Sequence, residues 1–286
     1  RPHRSLGGGT PTEFVRRVAG PAHLGGGGKE GNPSWGSLWW KVNQTRLDSL
    51  RRCFSKQWKV AYMMPVDRID LAQRLSSGAR VLDIGGQKMA NCDPRSPFAR
   101  AYGQIEQCAE EYRIVDCQKR ASVDYVIDFN TPDSIPRIRD VIDAYRPEVI
   151  LCMETLEHIN YHYELMNEMA RSLRQYGSVV FITVPNNGNW IFNALGWNED
   201  HSIAFLRDVA YRFVTRSDLG QGRVMVAPCM QKYLWYWWIV YVLSFFRPFN
   251  WAFLVTPVNY QPAKEMERTI KSLCAFTAAH FRPGRR

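Results

Sequence analysis

The sequence predicts a doubly wound α/β fold: a mostly parallel seven-stranded sheet with extensions at both ends. Three observations predict it. Short apolar runs alternate with helical stretches from residue 79 onward. The first run, VLDIGG at 81–86, ends in an acid and two glycines. The second, YRIVD at 112–116, ends in a matched acid, Asp116. Ligands of open α/β sheets bind outside the carboxyl ends of the strands, where the strand order reverses.

The elements follow in order. Asp67 near the start of DRIDLAQRLSSG and Gly78 after its last apolar residue delimit a helix that leads into the first strand, 80–84. Strand two is 112–116, and a short third strand, YVID, lies at 125–128. Between the first two, NCDPRSPFAR (91–100) reads as a loop closing over the site. EVILCM (148–153) and SVVFITV (178–184) are near-continuous apolar runs, the mark of strands buried on both faces. A helix over about 160–174 joins them. A helical stretch near 202–212 precedes the sixth strand, RVMVAP (223–228), and WAFLVTPV (251–258) is the seventh.

The organisation is a basic, Gly-rich flexible arm over 1–37, a helical extension over 38–78, the α/β domain over 79–230, and a tail over 231–286. That tail holds an aromatic-rich helix, the last strand and a basic end. The segment YLWYWWIVYVLSFF (233–246) has no charge but is too short for the roughly 20 residues that span a bilayer. It reads first as a core or docking helix and second as an interfacial membrane helix.

The 286-residue chain carries a net charge of +10, unevenly spread. Residues 1–80 hold 14 Lys and Arg against 5 Asp and Glu, residues 81–230 hold 15 against 20, and residues 231–286 hold 8 against 2. A mildly acidic central domain between basic flanks argues against a basic catalytic cleft and favours flanks that touch RNA, anionic lipid or an acidic partner. Seven scattered cysteines without a CxxC pair point to free thiols in a reducing compartment, with no zinc site or disulfide framework. The first 30 residues, with Glu13 and Glu30 as their acids, suit the remainder beside a removed organellar transit peptide, mitochondrial before plastid, or equally a flexible leader of a cytoplasmic chain.

Four strand ends should share one sheet edge: Asp83-Ile84-Gly85-Gly86, Asp116-Cys117, Asp128-Phe129-Asn130 and Met153-Glu154-Thr155. The glycines let the backbone turn tightly and approach a ligand. Asp116 suits a ribose hydroxyl pair. Asp128 suits an adenine amino group, with Phe129 beside the ring, although Asp128 in DFNTP also suits a turn. Main chain at Met153–Glu154 would wall the rest of the ligand. Glu154 and Glu157, three apart at an expected helix start, also read as N-terminal charge complements. Cys117 and Cys152 read as strand-end packing residues.

These stretches resemble the class I S-adenosylmethionine-dependent methyltransferases, whose fold is Rossmann-like. The resemblance lies in VLDIGG, VDYVIDF (123–129), GSVVFITVPN (177–186) and above all METLEHI (153–159), with its Leu-Glu-His after strand four. It covers about residues 79–215 and implies S-adenosyl-L-methionine as cofactor, with Asp83, Gly85, Asp116, Asp128 and Met153 on its binding positions; Gly86, Cys117, Phe129 and Glu154 adjoin them at the strand ends and complete the expected cofactor site. His158 falls at the substrate mouth. His158, and His201 in GWNEDH, are the candidates for a base where the acceptor must lose a proton. The glycine loop departs from the family by reading GGQKMAN, without a third spaced glycine. The resemblance implies a methyltransferase whose acceptor the sequence leaves unassigned. The alternative is a methyltransferase-like subunit of a large organellar assembly, a ribosome or a membrane-bound respiratory or photosynthetic complex, contacted through the basic arm and the aromatic helix. A nicotinamide-dependent oxidoreductase is opposed by the absence of GxGxxG and by the Leu-Glu-His.

Overall fold

A computed structural model describes residues 65–86, 97–120, 122–194, 205–230, 239 and 250–281. All belong to one compact unit, Val60–Arg286. The expected arm at 1–37, residues 38–64 of the expected helical extension, residues 91–96 of the expected loop and His201 lie outside the described residues, and of 233–246 only Ile239 is described, helical and exposed.

The elements in chain order are β1 (Val66–Asp67), α1 (Arg68–Ser76), β2 (Arg80–Ile84), α2 (Pro97–Cys108), β3 (Glu111–Asp116), β4 (Tyr125–Val126), α3 (Ser134–Tyr145), β5 (Val149–Met153), α4 (His162–Tyr176), β6 (Val179–Pro185), α5 (Trp190–Ala194), α6 (Arg207–Arg216), β7 (Arg223–Met230), β8 (Asn250–Thr256) and α7 (Lys264–His280). Two 3-10 turns, Leu156–His158 and Asp218–Gln221, precede α4 and β7.

One sheet holds all eight strands in the order β1-β7-β8-β6-β5-β2-β3-β4. β8 runs antiparallel between β6 and β7, and every other pairing is parallel. All seven expected strands are present, and β1 adds an eighth at the outer edge of β7, Asp67 opposite Met230. Two residues are too few to carry an alternating pattern, which is why they read as the start of a helix. The loop expected through residue 100 gives way to helix from Pro97, a residue suited to the first helical position.

Residues alternate across the sheet into two apolar layers. Ile150, Cys152, Val180, Ile182, Val226 and Phe253 face α3, α4 and α6. Val81, Leu151, Phe181, Ala252 and Leu254 face α1, α2 and α7. Every residue of β5, β6 and β8 is buried, as their continuous apolar runs require. Helices α3 and α4 are also tied by Glu168, which accepts from Arg139 Nη2 at 2.6 Å and Arg171 Nε at 2.8 Å.

The β7 edge is closed by more than β1. Thr277 of α7 accepts from the Val226 amide at 2.7 Å, and its hydroxyl faces the carbonyls of Leu273 (2.8 Å) and Val226 (3.2 Å). A side chain thus satisfies a buried strand edge that no neighbouring strand reaches.

The chain leaves β2 for β3 and β4 on one side, then returns through α3 to β5 on the other. The strand order therefore reverses between β2 and β5, and the carboxyl ends of those strands form the crevice where such sheets bind ligands.

Candidate functional site

β5, β2, β3 and β4 are adjacent and parallel, so Met153, Asp83, Asp116 and the turn after Val126 come to one edge. After Ile84 the backbone enters the left-handed region at Gly85, φ 75°. The Gly85 amide donates to Val115 O at 2.7 Å, which fastens the turn to β3. A Cβ at Gly85 would overlap the side chain of Thr155, whose hydroxyl donates to Ile84 O at 3.0 Å. A Cβ at Gly86 would overlap the Asp83 carboxylate. Both glycines are required by local packing.

Asp83 is 1% exposed. One carboxylate oxygen accepts a short hydrogen bond from the Tyr112 hydroxyl, and Oδ1 has no hydrogen-bond partner among the described residues. Burial pushes its pKa up to about 7; the Tyr112 bond opposes that rise and the nearby charge of Asp116 adds to it. Tyr112 is itself held far above the ordinary tyrosine range by burial and by the Asp83 charge.

Asp116 ends β3 half-buried, its Oδ1 accepting from the Gln118 amide at 2.8 Å. Cys117 is exposed and not packed, because the chain has already left the sheet. Its thiol is raised by desolvation first, then by hydrogen bonding to Asp116 and the charges of Asp116 and Asp128. The ends of β3 and β4 are adjacent through their parallel pairing, Asp116 opposite Val126. Asp128 is exposed and accepts from the Asn130 amide at 2.9 Å, the turn-forming role its neighbours suggest. Phe129 is 3% exposed, and its ring packs with the apolar layer under α3 and α4. Asn130 Oδ1 accepts from the Asn160 amide at 2.9 Å, joining this loop to the one after β5.

At the end of β5, Met153 is buried and Glu154 adopts φ 54°, one of two positive values among described non-glycine residues. Its amide donates to Thr183 O at 2.9 Å. Its carboxylate pairs with Arg68 at the start of α1 and accepts from Asn250 Nδ2 at the start of β8. Glu154 lies outside any helix, and Glu157 falls in the first turn of the 3-10 segment, ahead of α4, which begins at His162. Glu157 sits in the 3-10 turn, 1% exposed, its pKa pushed up to about 8 by burial against the opposing effects of a backbone hydrogen bond and Arg68. Cys152, buried in β5, has its thiol raised by burial. His158 is exposed in the same turn, its amide donating to Thr155 O at 3.0 Å.

Arg68, Asn250 and Tyr112 were absent from the sequence-derived site, and Thr155 entered it only as the end of the Met153-Glu154-Thr155 stretch. Tyr112 carried a signal: it opens strand two on the sheet face that Asp83 shares. Arg68 and Asn250 lie far along the chain from Glu154, and no local pattern marks them.

No group of three or more His, Cys, Asp or Glu among the described residues is arranged to hold a metal ion. No described helix is long and apolar enough to cross a membrane.

No family model matches the chain, and no curated protein does. Solved structures are similar in fold at low identity. A chain of the Haloferax volcanii complex that holds the Trm112 methyltransferase activator is 14% identical, with a TM-score of 0.41 over 72% of this chain and 93% of that one. An S-adenosylmethionine dependent methyltransferase from Mesorhizobium loti is 10% identical, with a TM-score of 0.39 over 66% of this chain and 95% of that one. The 1,6-didemethyltoxoflavin-N1-methyltransferase of Burkholderia thailandensis is 8% identical, with a TM-score of 0.35 over 81% of this chain and 94% of that one.

Proposed function

We propose that the chain is a methyltransferase that binds S-adenosylmethionine at the carboxyl ends of β2–β5. The observation that carries this reading is the left-handed turn at Gly85, at the point where strand order reverses, between the carboxylates of Asp83 and Asp116.

The residues fit the cofactor's parts. Asp83 is a buried carboxyl with an oxygen that lacks a partner among the described residues, the kind of group a cationic amino-acid moiety would satisfy. Asp116 has lone pairs beyond the one given to Gln118, enough to accept from a pair of ribose hydroxyls. Gly85 permits the left-handed turn against Thr155 that ends β2 at the crevice. Main chain at Met153 and Glu154 would wall the methionine end, and the Asp128 turn the adenine end, with Phe129 buttressing that turn from the core.

When bound, the cofactor supplies a methyl group on a sulfonium that an in-line nucleophile can take. The protein's contribution is then orientation and exclusion of water, which account for most of the acceleration such a displacement needs. His158, exposed at the same edge, is placed to receive a proton from an acceptor that must lose one.

The test is calorimetric titration with S-adenosylhomocysteine. Binding by the wild type, weakened at least tenfold in Asp116→Ala, is the expected result. No heat and no thermal shift with either form of the cofactor would sink the enzyme reading.

A further inference from the structure

We propose that Arg68 is a positioning residue for the cofactor pocket, an inference that rests on the adenosyl-pocket reading. Arg68 lies in the first turn of α1, before the stretch that resembles methyltransferases.

Two features fix Arg68 in place. Asp67 caps α1, its Oδ1 accepting from the amides of Ile69 (2.9 Å) and Asp70 (3.3 Å). Asp67 also pairs with Met230, fastening the start of α1 to the carboxyl end of β7. The Arg68 side chain is 3% exposed and carries a charge that cannot be shed. Such a charge is tolerated only opposite a carboxylate, and the partner is Glu154.

Glu154 is the residue whose conformation shapes the pocket wall. It holds φ 54° at the end of β5, a conformation a residue with a Cβ keeps only when its surroundings enforce it. Backbone enforcement comes from Thr183 O on β6. Side-chain enforcement comes from Arg68 on α1 and Asn250 on β8, which converge on the same carboxylate oxygen, Oε1. The latch joins three elements remote in sequence at the turn expected to wall the methionine end. Arg68 acts through Glu154, so the added strand and helix at the edge of the sheet set the geometry of the site.

The test compares Arg68→Met, Arg68→Lys and Glu154→Gln with the wild type. Hydrogen exchange is measured on ligand-free protein across residues 151–158, and S-adenosylhomocysteine affinity by calorimetry. Arg68→Met should speed exchange locally at residues 153–158 and weaken the ligand about tenfold or more, because small misplacements at a site are costly. Arg68→Lys should be intermediate, as a point charge replaces a planar fork. Glu154→Gln, which keeps an acceptor for Asn250, should reproduce the local exchange change even where Arg68→Met fails to fold. Unchanged exchange at 153–158, or a rise spread evenly over the sheet, overturns the latch. A wild type that binds no S-adenosylhomocysteine overturns the pocket reading instead, while the exchange measurement still decides the latch.

Discussion

Replacing Asp83 by Asn should remove a pH-dependent cost that the free protein carries. The carboxyl is buried at the end of β2, and folding moves its pKa from 3.8 to about 7. Between those values the native state holds a proton that the unfolded chain has released. Stability is therefore lost as pH rises through that window, and levels off above about 7. At about 1.4 kcal/mol per tenfold in ionisation, the full change corresponds to about 4 kcal/mol, of which about 3 kcal/mol falls between pH 5 and pH 8. Glu157, raised to about 8, adds a slope of the same sign, so the comparison must be between proteins. Asn keeps an acceptor for the Tyr112 hydroxyl and does not ionise. Urea unfolding of wild type and Asp83→Asn at pH 5 and pH 8 should show the variant gaining relative stability by about 2–3 kcal/mol at the higher pH. Equal pH dependence in the two proteins would refute the placement of a buried, protonated Asp83. S-adenosylhomocysteine should bind Asp83→Asn more weakly than wild type at pH 8, because the ionised carboxyl is the proposed partner of its ammonium group.

Two further changes test the frame of the site. Gly85→Ala forces a Cβ into a left-handed turn already filled by Thr155, and should cost more than about 2 kcal/mol by urea unfolding; a neutral effect would mean the turn is not as described. Thr277→Val strips the acceptor from the buried Val226 amide at the β7 edge and should cost about 1–3 kcal/mol, whereas a change under about 0.5 kcal/mol would show the edge to be satisfied otherwise.

The strand ends were readable because buried parallel strands appear as apolar runs, and polar residues at their carboxyl ends break those runs. VLDIGG and YRIVD carry that punctuation themselves and EVILCM is broken by the following Glu154, so Asp83, Asp116 and Met153 could be placed on one edge without coordinates. The third strand, expected over 125–128, ends at Val126, and Asp128 falls in the turn that follows it. The direction of β8 was not readable, since an apolar run has no polarity; its place between β6 and β7 depends on the whole sheet. Chemistry alone suggested that Phe129 meets a ligand ring, whereas burial commits that ring to the layer under α3 and α4. The Arg68–Glu154–Asn250 contact was hidden for a similar reason: three separate elements meet only after the sheet forms.

A crystal structure of the chain with S-adenosylhomocysteine tests the central claim most directly. Density is expected at the β2–β5 crevice, with the ribose hydroxyls against the Asp116 carboxylate and the amino-acid end between Gly85 and the Met153–Glu154 main chain. Ligand bound elsewhere, or an empty crevice at saturating ligand, would contradict it.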